Sequence, residues 1–185
     1  MRLLTVAAFA LVLALATPAL AREVAGVAVP DTAALGGKAL VLNGAGLRSK
    51  LFIKVYVGAL YLEQKAGDVG AIVSADAPWL VTMTFKRGVE KEKIVGAFKE
   101  GFEKNSAADL VALLPGLATV EAGLKDFKEG ELFSISYQPG VGSTLTPPGG
   151  APIVVAGKKF GDALLRNWLG DKPADGDLKQ GMLGK

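Results

Sequence analysis

Four side chains in this sequence have the chemistry to recognise an anion or move a proton: Arg48, Lys54, Tyr56 and Asn167. An arginine presents a planar fork of N–H donors that matches a carboxylate. A tyrosine gives or takes one hydrogen bond through its hydroxyl, and an amide does both. Arg48 follows the glycines of Gly44-Ala45-Gly46, which read as a tight turn, and precedes the most apolar strand of the chain; by position alone it is a surface arginine. Tyr56 shares a strand face with Phe52 and Lys54, because strand side chains alternate, and by itself reads as a core or edge tyrosine. Asn167 interrupts the helical stripe Phe160, Ala163, Leu164, Trp168. A polar residue on a buried stripe needs a partner, either a backbone carbonyl or a ligand or water in a cleft.

Two absences narrow the chemistry. The chain has 0 Cys and 0 His. Disulfides, thiolate metal sites, His-zinc sites and Ser-His-Asp catalysis are therefore excluded. Any reaction must use Arg, Lys, Tyr, Asp or Glu. Gly44-Ala45-Gly46 resembles half of a dinucleotide fingerprint, but it opens a strand and lacks the third glycine. The Gly-rich run 140–144 ends in Ser-Thr without the phosphate-binding lysine, and reads as a loop between strands. No cofactor and no metal are expected.

The elements that must position these side chains follow from periodicity. Residues 22–37 read as an irregular lead-in, with Val27 and Val29 suggesting a short edge strand. Strands are expected over 39–43, 51–62, 79–85, 133–137, 142–146 and 153–156, each rich in β-branched or aromatic residues. The stripe Ile94, Ala97, Phe98, Gly101, Phe102 predicts a helix. A second helix is expected over 106–114, ended by Pro115-Gly116, with a further short one over 119–125. A third runs over 159–169, and a last turn of helix over 177–182. Strands, then helices, then strands with a closing helix argue for an α+β domain, with helices packed on a largely antiparallel sheet.

The N-terminus carries an address. Arg2, the apolar run 3–16, Pro18 and the small-x-small site Ala19-Leu20-Ala21 form the pattern of a cleavable secretory signal peptide over residues 1–21. One domain, residues 22–185, is then expected to work in the periplasm without a membrane span. The net charge of +3 is not concentrated in any Lys/Arg cluster dense enough to suggest nucleic-acid binding.

Two segments together resemble a known family. Leu42-Asn43-Gly44-Ala45-Gly46-Leu47-Arg48, followed by Phe52-Ile53-Lys54-Val55-Tyr56-Val57-Gly58-Ala59-Leu60-Tyr61-Leu62, is similar to the N-terminal signature of chalcone isomerase-like proteins. The run 159–170, with Ala163-Leu164-Leu165 and Trp168-Leu169-Gly170, resembles the family's closing helix. The resemblance implies an open-faced β-sandwich, with a large antiparallel sheet, a layer of helices and a ligand cleft between them. It maps Arg48 onto the arginine that contacts substrate in the plant enzymes and carboxylate in the fatty-acid binders, and Tyr56 onto the tyrosine of the binders. Asn167 sits near a Ser or Thr of the enzymes. The enzymes' site tyrosine and asparagine fall near Val89 and near Gly96-Ala97, where neither type is present.

The expected function is accordingly a periplasmic binder of a fatty acid or similar apolar carboxylate, without chalcone isomerase activity. Arg48, Tyr56, Asn167, Phe52 and Lys54 are the candidate ligand contacts. The rival reading is an isomerase or lyase with Arg48 as electrophile, Tyr56 as acid and Lys54 as base. A third is a protein-interaction module, which a cleft filled by the chain's own side chains would favour; an open cleft with Arg48 at its floor would favour binding or catalysis.

Overall fold

The computed structural model describes residues 21–185; the expected leader lies outside these residues but for Ala21. Seven antiparallel strands form one sheet in sequential order: β3 (Thr32–Leu35), β4 (Lys38–Lys50), β5 (Ile53–Leu62), β6 (Trp79–Phe85), β7 (Leu132–Gln138), β8 (Gly142–Thr146) and β9 (Ile153–Val155). The two preceding strands, β1 (Ala21–Val24) and β2 (Val27–Pro30), pair as a separate ribbon. The segment expected to be an irregular lead-in is thus three short strands. Its turns, Ala25-Gly26 and Gly36-Gly37, have both residues at positive φ, the geometry that closes a two-residue hairpin.

Among the described residues, five α-helices interrupt or follow the sheet: α1 (Val69–Ser74), α2 (Lys91–Asn105), α3 (Leu110–Gly123), α4 (Lys158–Leu169) and α5 (Gly176–Met182). The sheet and helices make the α+β architecture read from the sequence. One face of the sheet packs on the helices through a core that includes Leu60, Val81, Met83, Phe133, Phe102, Leu164 and Trp168. The opposite face of β4 and β5 is smaller. Leu40, Leu42, Val57, Ala59 and Tyr61 pack there with Val29 of the ribbon, and the Tyr61 hydroxyl donates to the Pro30 carbonyl at 3.0 Å.

Three local expectations are corrected. Gly44-Ala45-Gly46 is not a turn; it lies inside β4. A Cβ at Gly44 would collide with the Gly181 carbonyl, and one at Gly46 would sit 3.2 Å from Leu178 Cα. The glycines let α5 lie directly on the strand. Leu51 and Phe52 do not belong to the strand but form the β4–β5 turn, with φ of 49° and 67°. Pro115 does not end a helix: α3 runs through it from Leu110 to Gly123, absorbing the expected short helix. Proline at that position leaves the Val111 carbonyl without its helical donor, and Val111 is 84% exposed, where water reaches it. Helix α1, capped by the Asp68 side chain on the Ala71 N–H, was not apparent from periodicity because it is only 6 residues long.

Candidate functional site

Two bulges re-aim side chains along the central hairpin. The β4–β5 register passes from Arg48 opposite Tyr56 to Ser49 opposite Lys54, so Val55 is the extra residue. It joins Tyr56 in the helix-side core, whereas simple alternation would have put it beside Val57 on the other face. The second bulge falls at Asn43, whose amide donates to the Met182 carbonyl at 2.8 Å and accepts from the Ala66 N–H at 2.7 Å. That pair of bonds fixes α5 and the chain after β5 against the strand.

Register places Arg48 directly across from Tyr56, and the guanidinium carbon lies 5.6 Å from the centroid of the tyrosine ring. The ring's negative face attracts the cation and holds it in place. Below, the Trp168 Nε1–H donates to the Tyr56 hydroxyl at 2.9 Å. Burial raises the Tyr56 phenol above its ordinary value, against the smaller opposing pull of Arg48 and of the Trp168 bond. Tyr56 therefore stays neutral through the physiological range. Phe98 of α2 meets Trp168 edge-on at 6.2 Å, so the stack Arg48–Tyr56–Trp168–Phe98 runs from the sheet into the helix layer.

Two cavities meet at Arg48. The larger, about 580 Å³, is walled by Leu51, Ile53 and Val55 from the hairpin, by Val89 from the segment leading into α2, and by Ile94, Gly96 and Ala97 of α2 itself. The smaller, about 170 Å³, lies between α2, the end of α4 and the segment 172–174, with Gly101, Lys104 and Asn167 in its wall. Arg48, Lys50, Ala97 and Glu100 border both. The first is mostly apolar and the second mostly polar, so a molecule spanning them would put its tail in one and its head in the other, with Arg48 at the junction.

The polar atoms at this junction lack partners. Arg48 Nε is buried and makes no hydrogen bond, and Arg48 has no ion pair among the described residues. Asn167 is 4% exposed, yet neither Oδ1 nor Nδ2 has a hydrogen-bond partner. Gly101 makes room for that amide; a Cβ there would collide with Asn167 Oδ1. The acids nearby are engaged elsewhere. Lys104 bonds Glu100 and holds its carboxyl below the usual carboxylate range. Asp175 accepts from the Ser49 N–H at 3.0 Å and caps α5 through the Leu178 N–H at 2.9 Å. A buried polar group without a partner costs about 1–3 kcal/mol. A cation and an amide left open around one cavity form a cradle for a small anion.

Of the residues singled out in the sequence, Arg48, Tyr56 and Asn167 are brought to this junction, Tyr56 beneath Arg48 rather than in either cavity wall. Phe52 and Lys54 are not. Phe52 is 102% exposed at the hairpin turn, Lys54 is exposed, and neither lines a cavity. Alternation fails for Phe52 because it lies in the turn, and for Lys54 because the bulge at Val55 separates it from Tyr56. The role of Gly101 went unread. Its signal was available, since a glycine inside a helix costs ~1 kcal/mol relative to alanine and so asks for a packing reason.

A model of the family described as chalcone isomerase-like matches residues 21–184. Among solved structures, the chain is similar to the fatty-acid binding protein AtFAP1 of Arabidopsis thaliana, with a TM-score of 0.63 and 18% identity over 85% of this chain and 92% of that one. No curated protein matches in sequence.

Proposed function

This chain belongs to the chalcone isomerase-like family, and we propose that within it the protein is a non-catalytic binder of a fatty acid or similar apolar carboxylate. The observation that carries this reading is the convergence of unpartnered Arg48 and Asn167 atoms where an open apolar cleft meets a polar pocket. The carboxylate accepts from the Arg48 guanidinium and from Asn167 Nδ2, and the alkyl tail lies along Val55, Ile94 and Ala97. Tyr56 acts as a positioning residue, holding the guanidinium over its ring. A charge-assisted hydrogen bond contributes roughly 1.5–3 kcal/mol and each buried methylene ~0.8 kcal/mol. After ordering costs, affinity on the order of micromolar follows for a medium-chain acid. The similarity to a fatty-acid binding protein supports the ligand class.

The isomerase reading has less support. Near positions 89 and 96–97, where the plant enzymes of the family keep polar groups, this cleft has Val89, Gly96 and Ala97 in its wall. Lys54, the candidate base, lines neither cavity. An open rather than filled cleft disfavours the interaction-module reading. We further propose that residues 1–21 direct export to the periplasm, on the leader pattern alone.

The test is native mass spectrometry of protein purified from a Gram-negative host, followed by extraction of bound molecules. The expected result is a carboxylic acid adduct on wild type that is lost from Arg48→Ala. Protein that carries no acid and takes up none from added laurate would overturn the reading.

A further inference from the structure

We propose that the β4–β5 hairpin tip is a docking surface for an anionic lipid bilayer, with Leu51, Phe52 and Ile53 as the inserted wedge. These three consecutive residues are 82%, 102% and 48% exposed. They are also held there against local preference. The other two-residue turns at positive φ, Ala25-Gly26 and Gly36-Gly37, use glycine, whereas this one places a leucine and a phenylalanine at φ of 49° and 67°. A turn of this geometry favours Asn or Gly. Two bulky apolar side chains in it are strained, and both stay largely exposed.

The charges around the tip identify the partner. Lys50 and Lys54 flank the wedge in sequence, and Arg87, which has no ion pair among the described residues, borders the cleft beside it. Two acids nearby are engaged, Glu90 with Lys93 at 2.9 Å and Glu100 with Lys104. An apolar wedge collared by cations matches the interface of an anionic bilayer. There, apolar side chains sink ~5–10 Å and basic ones stay at the headgroups. Leu51 and Ile53 belong to the wedge and also wall the larger cavity, so docking would set the cleft mouth against the lipid. The proposal rests on the tip itself and not on which ligand the cleft takes.

The test is sedimentation of residues 22–185, which contain the whole seven-stranded sheet and all five helices, with vesicles of phosphatidylcholine alone or mixed with phosphatidylglycerol. Wild type should bind the mixed vesicles, lose binding as salt rises, and bind phosphatidylcholine weakly. Phe52→Ser and Lys54→Glu should each weaken binding by roughly tenfold, while uptake of a fluorescent fatty acid from solution stays at the wild-type level. Phe52→Trp should bind as wild type and show a blue-shifted emission on the vesicles. No binding of wild type to mixed vesicles would overturn the proposal, as would wild-type binding by Phe52→Ser. A dimer of the free protein that Phe52→Ser dissolves would assign the tip to a second copy instead, and would equally overturn it.

Discussion

Asn167 is a buried amide that the fold leaves without hydrogen bonds, and Arg48 beside the same cavity keeps a buried Nε in the same condition. Such groups are costly to the fold and useful to a ligand. Asn167→Leu removes the cost while keeping the branched outline of the side chain. The expected outcome is a Tm equal to or above wild type in calorimetry, together with roughly tenfold weaker uptake of a fluorescent fatty acid, the size of one lost hydrogen bond to a charged group. A lower Tm with unchanged uptake would make the amide structural. At this scale the sequence marked Asn167 as an amide on an apolar stripe, whereas Arg48 read by position alone as a surface arginine and was singled out by the family resemblance. The sequence misled about Phe52 and Lys54, because a strand-like composition concealed a two-residue turn and a bulge. Both are backbone events that leave little trace in residue type.

Helix α2 contributes most of the helical wall of the cleft, and its glycines divide the labour. Gly101 yields space to Asn167, while a Cβ at Gly96 would meet nothing within 4 Å. Gly96→Leu should therefore raise stability by up to ~1 kcal/mol through helix propensity, measured by urea denaturation, and reduce fatty-acid uptake several-fold by filling the cleft. Unchanged uptake would place the tail elsewhere. The β-strands from β6 to β9 and helix α4 were legible within a residue or two, and α2 by its stripe alone, because each buries one face against the other layer and so keeps a clean period. The glycine run in β4 was misread as a turn. Its cause is the close seat of α5, whose sequence lies more than 130 residues away. The continuity of α3 was misread because a proline exposed to solvent is tolerated where a buried one is not.

For the whole molecule, the sheet is covered by helices on one face and by a two-stranded ribbon on part of the other, and the cleft opens between sheet and helices at the β4–β5 end. Expressed with its leader in a Gram-negative host, the protein should be recovered from the periplasmic fraction with Arg22 at its N-terminus, as read by N-terminal sequencing. An intact Met1 on a membrane-bound product would contradict the export proposal.

The central claim is that this cleft recognises a carboxylate through Arg48. The most direct measurement compares a fatty acid with the alcohol of equal chain length by titration calorimetry, in wild type and in Arg48→Ala. Wild type should bind the acid at least about tenfold more tightly than the alcohol, the magnitude of one charge-assisted hydrogen bond. In Arg48→Ala that preference should vanish while the alcohol binds as before. Equal affinity of wild type for the two ligands, or a preference for the acid that survives the loss of Arg48, would contradict the account.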